Sequence, residues 1–426
     1  MTRWLRLAPL FATLACAGGE PGPKADAVAP EPVPESNTIL LGEYGSLTGA
    51  EATFGQSTDN GVKLALKEIN AAGGVGGKQL EVKVYDDQGK SQEAGSAVSR
   101  LITEDKVVAI LGEVASSLSM AGGRVAQQYG VPMISPSSTN AQVTAIGDMV
   151  FRVCFIDGFQ GYVVAKFARD DLKVATAAIL YDQSSAYSKG LKDDFTREFT
   201  GMGGKIVSEQ AYDAGNQDFS AVLTTIRGVA PDAIFIPGYY TDVGNIALQA
   251  RKLGVKSVFL GGDGWDSSKL AEIGGEAIEG AYYSNHYAPE ETRPEVQAFV
   301  QAYQKEYGAV PDGLAALGYD AARVVADAIK RSPSLGGKDL AAALAATRNF
   351  AGVTGNITID GNRDAQKPAV VVQMKGGKPT WVTTILPPGM AADAAPPAVA
   401  PDAPVAPAAP AAPAAPAPPP AAPAAH

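Results

Sequence analysis

The feature that most constrains the fold is the regular alternation of short apolar runs with longer amphipathic stretches. The apolar runs predict strands at residues 38–42, 80–85, 107–111, 177–181, 233–236 and 258–260. Between them, residues 55–72 and 91–104 carry apolar side chains at helical spacing, and Gly73 with Gly74 ends the first helix. Strands that are apolar on both faces and alternate with helices form parallel sheets covered on both sides. The sequence therefore predicts an α/β fold.

Length and charge narrow the class of protein further. About 350 residues lie between the two unusual ends of the chain, which favours two domains. The formal net charge is −10, whereas a nucleic-acid partner would require a basic face. The core of the sequence contains no apolar run long enough to cross a membrane.

The N-terminal segment has the pattern of an export signal. Residues 1–15 contain Arg3 and Arg6, then an apolar run too short to span a bilayer. Cys16 follows directly and resembles the acylated cysteine of bacterial lipoproteins, although Thr13 and Leu14 replace the usual leucine and small residue. Residues 16–37 are then expected to tether a lipid anchor to the domain. An ordinary signal peptide cleaved elsewhere is the alternative.

The C-terminal segment and the cysteines add two expectations. Residues 387–426 are almost entirely Ala and Pro, so we expect an extended or disordered tail. The sequence has two cysteines, and lipidation of Cys16 leaves Cys154 without a partner. No disulfide framework is expected.

The distribution of histidine argues against an enzyme. Histidine occurs only at His286 and at His426 in the tail, so neither a histidine-based triad nor a metal cluster can be assembled. No nucleophile elbow, phosphate-binding loop or dinucleotide fingerprint follows a suitable strand. We therefore expect no catalytic activity, no cofactor and no metal.

Four stretches of sequence together carry a family resemblance. They are residues 45–49 with 54–56, residues 69–77 with 85–87, residues 132–140, and residues 238–240 with 249–254. With them the chain resembles the leucine/isoleucine/valine-binding family of type I periplasmic solute-binding proteins over most of residues 38–386.

The resemblance implies two Rossmann-like lobes joined by a hinge of three crossings. The first lobe would comprise residues 38–155 and 286–366, and the second residues 156–285 and 367–386. The crossings would lie near residues 153–157, 284–288 and 365–369. Some relatives have a disulfide between the loops after the second and third strands. Gly89 and Ala115 occupy those positions here, so that disulfide is absent.

Small hydroxylated residues after two predicted strands are candidates for binding a carboxylate. Ligands of open parallel sheets bind beyond the carboxyl ends of the strands. Ser116 and Ser117 begin a helix there, where free N–H groups favour an anion, although one serine could simply be the N-cap. Ser137 and Thr139 also match family contact positions; their alternative role is a plain turn.

An acid and several aromatic residues complete the candidate site. Asp263, between glycines after a strand, matches the family's acid for the ligand ammonium, although the family usually has glutamate; an Asp-Gly turn is the alternative. Tyr187 and Tyr239 match tyrosines of the second lobe that close over the ligand. Phe54 and Trp265 are candidates for the wall around the ligand side chain, or are core residues.

The function implied is that of the extracytoplasmic solute-binding component of an ABC importer. Its ligand would be a neutral, branched-chain or other apolar amino acid, with a small amide or carboxylate as the alternative. The partners would be a membrane permease and, through the lipid anchor, the membrane; we expect a monomer. A stand-alone ligand sensor of the same fold remains a second possibility, because binding and closure would be identical.

The anchor can be tested directly. Because Cys16 would carry the lipid, Cys16→Ser with the rest of the signal intact should move the protein from the membrane fraction to the soluble extracytoplasmic fraction. Fractionation followed by immunoblotting measures this. Membrane retention of the variant equal to that of the parent would contradict lipidation at Cys16.

Overall fold

The computed structural model describes residues 37–390. The predicted signal peptide, Cys16 and the tail beyond Met390 lie outside the described residues. The strands are β1 (Thr38–Gly45), β2 (Gln79–Asp86), β3 (Ile110–Leu111), β4 (Met133–Ser135), β5 (Val150–Arg152), β6 (Thr176–Asp182), β7 (Lys205–Tyr212), β8 (Ala233–Phe235), β9 (Val258–Gly261), β10 (Tyr282–Asn285), β11 (Phe350–Gly352), β12 (Gly355–Ile359), β13 (Ala365–Gln366), β14 (Ala369–Lys375) and β15 (Lys378–Ile385). The helices are α1 (Ala52–Ala71), α2 (Ser91–Thr103), α3 (Ser116–Tyr129), α4 (Asp157–Asp170), α5 (Ala186–Gly201), α6 (Ser220–Val229), α7 (Tyr240–Lys252), α8 (Ser268–Gly274), α9 (Pro294–Tyr307), α10 (Gly313–Arg331) and α11 (Gly337–Ala345).

Two larger sheets organise the described chain, and the α/β class is confirmed. The first sheet has the order β2-β1-β3-β4-β5 and is entirely parallel. The second has the order β15-β14-β10-β9-β8-β6-β7. Its strands β6, β7, β8, β9 and β10 are parallel to one another. Strand β14 runs antiparallel to both β10 and β15.

The predicted parallel sheets are thus confirmed, with an added antiparallel edge in the second sheet. Strands β14 and β15 are joined only by Gly376 and Gly377, which have φ angles of 59° and 73°. A two-residue connection with two positive φ angles makes a tight hairpin, and a hairpin can only pair its strands antiparallel. A parallel pair would need a crossover of a dozen residues or more.

The C-terminal helices pack against the first sheet. Leu41 of β1, Val62 of α1 and Val324 of α10 belong to one fully buried apolar cluster. Helices α1 and α10 approach so closely that a Cβ atom on Gly61 would lie 2.0 Å from the carbonyl oxygen of Ala315. Only a residue without a side chain is compatible with this contact.

The second sheet has its own apolar core on both faces. Helices α6 and α7 cover one face, with Leu223 and Ile246 fully buried, and α5 covers the other, with Phe195 fully buried. The chain passes between the two sheets three times: after Arg152 in β5, after Asn285 in β10, and before Ala369 in β14. These passages are the positions about which two lobes can rotate.

A pair of buried carboxyl groups joins the loops after β1, β2 and β3. The Ser46 hydroxyl lies 3.0 Å from Oδ1 of Asp87 and 3.1 Å from Oε1 of Glu113, and Glu113 also accepts a hydrogen bond from the Ala115 N–H. Burial raises the pKa of Asp87 to about 6. Burial, followed by the charge of Asp87, raises the pKa of Glu113 well above its usual value. These contacts connect the loops that a disulfide joins in some members of the family named above.

The Asp87 carboxyl makes stability depend on pH. Its pKa is raised in the folded protein, so the folded state binds more protons than the unfolded chain between about pH 4 and pH 6. Stability from this group is present below pH 4 and is lost as the pH rises through about 6. In the parent, the free energy of unfolding should fall by on the order of 2 kcal/mol over this pH range. Asp87→Asn mimics the protonated form and should not show this fall.

Thermal denaturation of parent and variant from pH 4 to pH 8 measures this difference. Asp86→Asn is the control: burial raises the pKa of Asp86, but hydrogen bonds from Thr48, Gln88 and Leu47 outweigh it and hold that pKa below its usual value. Asp86 is thus ionised in both the folded and the unfolded state between pH 4 and pH 8, and Asp86→Asn should leave the shape of the pH profile in this range unchanged. Identical profiles for the parent and Asp87→Asn would show that the carboxyl pair does not act in this way.

Candidate ligand-binding site

Loops beyond the carboxyl ends of strands from both sheets meet around one small cavity. Val114 and Ser137 follow β3 and β4 of the first sheet, and Tyr187, Tyr239 and Asp263 follow β6, β8 and β9 of the second. The cavity is lined by Phe54, Val114, Ser137, Tyr187, Tyr239, Asp263, Gly264 and Leu314. Its volume is about 10 Å³, near the lower limit for one water molecule. The cleft between the lobes is therefore closed.

The Asp263 carboxylate is buried and accepts hydrogen bonds from three neutral groups. Its side chain is 6% exposed. Nε2 of Gln160 donates to Oδ1 at 2.7 Å, and the Tyr187 hydroxyl donates to the same oxygen at 2.9 Å. Nε2 of His286 lies 2.9 Å from Oδ2. Asp263 is therefore a fixed carboxylate at the end of β9 and not merely a turn residue.

His286 is uncharged at neutral pH. Burial lowers the pKa of this histidine to about 4, although the hydrogen bond with Asp263 opposes the shift. Because a carboxylate only accepts hydrogen bonds, Nε2 must carry the proton of the neutral ring. The ring stacks on Phe155, with centroids 3.8 Å apart, which fixes its orientation. None of the three groups that hydrogen-bond to Asp263 is therefore a cation at neutral pH.

Aromatic rings form one wall of the cavity. Tyr187 and Tyr239 are stacked with centroids 5.3 Å apart and an interplanar angle of 8°. Phe54 meets Tyr239 edge-on at 5.4 Å. Burial, followed by the charge of Asp263, raises the pKa of Tyr187 well above its usual value, so its hydroxyl stays protonated and can donate. Phe54 lies on α1 of the first lobe and also meets Tyr240 of α7 edge-on at 5.1 Å, so this wall includes both lobes.

The four hydroxylated candidates lie in the first lobe's loops but have different surroundings. Ser137 is 3% exposed, lines the cavity, and its Oγ has no hydrogen-bond partner among the described residues. Ser116 Oγ accepts from the Asn140 N–H at 3.2 Å. Thr139 is buried and faces Asp157. Neither Ser116 nor Ser117 is the N-cap of α3, because Ala115 occupies that position.

Ser117 contacts the opposite lobe. Its Oγ accepts from the Ala186 N–H at 3.1 Å, while Nδ2 of Asn140 donates to the Ala186 carbonyl at 2.9 Å. These two bonds join the first lobe to the start of α5. Ser117 therefore holds the closed form together.

Trp265 and Asp157 do not line the cavity, and for Trp265 the core alternative is the one observed. Trp265 is fully buried in the core of the second lobe, where Nε1 donates to the Ile236 carbonyl at 3.0 Å. Asp157 begins α4 but does not cap it, since Ile156 is the N-cap. The Asp157 carboxylate is buried, and no donor reaches either oxygen with hydrogen-bond geometry within the described chain.

Sequence reasoning missed four residues around the site. Gln160 and His286 hold Asp263, and Val114 and Leu314 line the cavity. His286 carried a signal, because it is the only histidine outside the tail. Gln160, Val114 and Leu314 carried none, since each lies within an ordinary helical or loop pattern.

The described part of the chain contains neither a cluster suited to a metal ion nor a helix suited to span a membrane. Among residues 37–390, no cluster of three or more His, Cys, Asp or Glu side chains is placed to bind a metal ion. Within the same residues, no helix combines the length and apolarity needed to cross a membrane.

Comparison with known proteins identifies the family. The family model described as periplasmic binding protein matches residues 38–378. The chain belongs to the periplasmic binding protein family. A leucine-, isoleucine-, valine-, threonine- and alanine-binding protein of Pseudomonas aeruginosa is 30% identical over 361 residues, which is 84% of this chain and 93% of that protein.

Two crystal structures of similar proteins agree with the observed fold. A leucine-binding protein of Thermotoga maritima is 39% identical with a TM-score of 0.79, covering 82% of this chain and 99% of that one. A branched-chain amino acid transporter substrate-binding protein of Streptococcus pneumoniae, in complex with isoleucine, is 34% identical with a TM-score of 0.78, covering 82% and 100%. The two-lobed architecture of periplasmic binding proteins is thereby confirmed.

The buried His286 should make this periplasmic binding protein sensitive to acid. Its pKa is about 4 when folded, against about 6.5 when unfolded, so the unfolded chain binds more protons between these values. Stability should fall as the pH decreases from 6.5 toward 4, by on the order of 3 kcal/mol. His286→Gln keeps an N–H donor without titrating, and should lack this loss.

Thermal denaturation at pH 4, 5, 6 and 7 compares the two proteins. His286→Phe serves as a second variant, because it keeps a ring that can stack on Phe155 but has no donor for Asp263. We expect it to be less stable than His286→Gln at pH 7. Parallel pH profiles for the parent and His286→Gln would rule out this role for the histidine.

Proposed function

We propose that this protein is the extracytoplasmic solute-binding component of an ABC importer and binds a neutral, branched-chain or other apolar amino acid by closure of its lobes. The observation that carries the proposal is Asp263, a carboxylate buried in the cleft whose three hydrogen-bond donors are neutral. The names of similar proteins, which refer to leucine, isoleucine and valine, support the same ligand class.

The ammonium group of the ligand would bind Asp263. A carboxylate has about four acceptor positions, and Oδ2 of Asp263 accepts only from His286 among the described residues. An isolated charge removed from water costs several kcal/mol. An ammonium group beside Oδ2 would supply both a hydrogen bond and the opposite charge. The stacked rings of Tyr187 and Tyr239 would add a favourable face for the cation.

The carboxylate group of the ligand would bind the loops of the first lobe. The 14-residue helix α3 begins at Ser116, and the first N–H groups of a helix have no partner within it. The Ser137 hydroxyl is buried at the cavity without a partner among residues 37–390, and is available to donate. We assign Ser137, Ser116 and Thr139 to this end of the ligand.

The apolar side chain of the ligand would lie against Phe54, Val114, Tyr239 and Leu314. A cavity of about 10 Å³ is too small for such a side chain, so these residues must separate before a ligand enters. Ligand would bind the first lobe in an open form, and the second lobe would then add Asp263, Tyr187 and Tyr239. The closed form, as a monomer anchored through Cys16, would be presented to a membrane permease.

Removing the Asp263 carboxylate tests the site. Asp263→Ala should weaken leucine binding by about 2–5 kcal/mol, the range for truncating one partner of a buried charge pair. Asp263→Glu should retain much of the binding, because it keeps the charge with a longer reach. Isothermal titration calorimetry with leucine measures both variants, and their melting temperatures check that the fold survives.

A second comparison separates an amino acid from a simple carboxylate. Leucine should bind the parent protein, whereas 4-methylpentanoate, which lacks only the ammonium group, should not bind measurably. Asp263→Ala should remove this preference. Equal affinity of both ligands for the parent, or equal affinity of parent and alanine variant for leucine, would overturn the proposed role of Asp263.

A further inference from the structure

Three acidic side chains from the two lobes meet beside the cleft; we call them the interlobe acid cluster. Glu51 precedes α1 in the first lobe, Asp182 ends β6 in the second, and Asp242 lies in the first turn of α7. The Thr241 hydroxyl donates to the Ala50 carbonyl at 2.8 Å. Glu51 and Asp242 are the next residues of these two segments, so this bond between the lobes brings their backbones close together.

The cluster concentrates negative charge away from water. Burial, followed by the charges of Asp242 and Asp182, raises the pKa of Glu51 to about 7. Burial also raises the pKa of Asp242 to about 6, although the Gly215 N–H lowers it slightly. The two charges that act on the Glu51 carboxyl are thus both negative. Closure of the lobes brings together groups that repel one another.

The Tyr212 hydroxyl provides an independent sign of a ligand. Tyr212 is 3% exposed, and its Oη has no hydrogen-bond partner among the described residues. Tyr212 is the register partner of Asp182 in the pairing of β7 with β6, so the two residues are neighbours in the sheet. After burial, the charges that most raise the pKa of Tyr212 are those of Asp242, Asp182 and Glu51. A buried hydroxyl without a partner costs free energy comparable to a lost hydrogen bond. A donor placed among the three acids would also satisfy this oxygen.

The cluster adjoins the wall of the ligand cavity. Tyr239 lines the cavity, and its pKa is raised by burial, then by the charge of Glu113 and less by that of Glu51. Gly238 precedes Tyr239, and a Cβ atom on Gly238 would lie 2.3 Å from the Tyr212 hydroxyl. Phe54, on the same wall, follows Glu51 by three residues and donates its N–H to the Glu51 carbonyl at 2.9 Å. The segments that carry Phe54 and Tyr239 thus contact both the cavity and residues of the acid cluster.

We propose that Glu51, Asp182, Asp242 and Tyr212 form a second subsite, which binds the cationic end of a longer amino acid across the two lobes. The suitable groups are the guanidinium of arginine and the ammonium of lysine. The aliphatic part of such a side chain packs well on aromatic rings, here those of Phe54 and Tyr239, while its charged end reaches the acids. This inference rests on the proposed amino-acid site and widens its ligand class.

The subsite makes a thermodynamic prediction about protons. With a neutral ligand, only protons can compensate the acids when the lobes close, so binding should take up protons near pH 7. With arginine, the guanidinium compensates them and binding should take up fewer. Calorimetry in two buffers with different ionisation enthalpies gives the number of protons directly.

The experiment uses leucine, arginine and citrulline, the uncharged isostere of arginine, at pH 7.5. Arginine should bind the parent at least about tenfold more tightly than citrulline, a factor between those of exposed and buried charge pairs. Glu51→Gln and Tyr212→Phe should each weaken arginine binding. Neither should weaken leucine binding, and Glu51→Gln should strengthen it, because the variant removes one of the charges that repel one another on closure. Glu295→Gln, an exposed acid in the first turn of α9, is the control and should change neither.

The outcomes separate the two proposals. If leucine binds but arginine binds no better than citrulline, the subsite is overturned and the proposed function stands. If arginine binds and Glu51→Gln has no effect on it, the subsite is also overturned. If none of the three amino acids binds, the proposed function itself fails. Melting temperatures of the variants confirm that each loss reflects binding and not unfolding.

Discussion

A carboxylate with little access to water needs hydrogen-bond donors, because without them burial costs several kcal/mol. Asp263 receives its donors from three parts of the chain: Gln160 on α4, Tyr187 at the start of α5, and His286 just after β10. These segments meet only when the second sheet is assembled with the helices that cover it. The geometry of the candidate site therefore depends on the packing of the whole second lobe and on one passage of the hinge.

A second buried charge shows what a purely structural ion pair looks like in the same protein. The Arg152 guanidinium is fully buried, lies 2.6 Å from Oδ1 of Asp364, and also donates to the Asn140 carbonyl and the Thr144 hydroxyl. Its charge is compensated within the described chain. Asp263 differs because none of its hydrogen-bond partners is a cation, although the charge of the buried Lys367 acts on it from farther away. This difference favours a role in binding a cation.

The closed arrangement of the lobes is a balance of opposing contributions. Phe54, Val114 and Leu314 come from the first part of the chain or from α10, yet they are buried in the apolar cluster of the second lobe. Aromatic contacts such as Phe54 with Tyr239 contribute about 0.5–1.5 kcal/mol beyond their buried area. The approach of Glu51 to Asp242 and Asp182 opposes closure. When favourable and unfavourable contacts nearly cancel, the added contacts of a ligand can decide which form is populated.

The sequence alone determined the α/β class, the approximate positions of most strands, and the loops that carry Ser137, Tyr187, Tyr239 and Asp263, because apolar periodicity and strand ends are local properties of the chain. It could not determine the antiparallel edge formed by β14 and β15, the core position of Trp265, or the contact of His286 with Asp263. Gln160 and Asp263 are 103 residues apart, and Glu51 and Asp242 belong to different lobes. Only tertiary packing brings such groups within reach of one another, because spacing along the chain contains no information about contacts between distant segments.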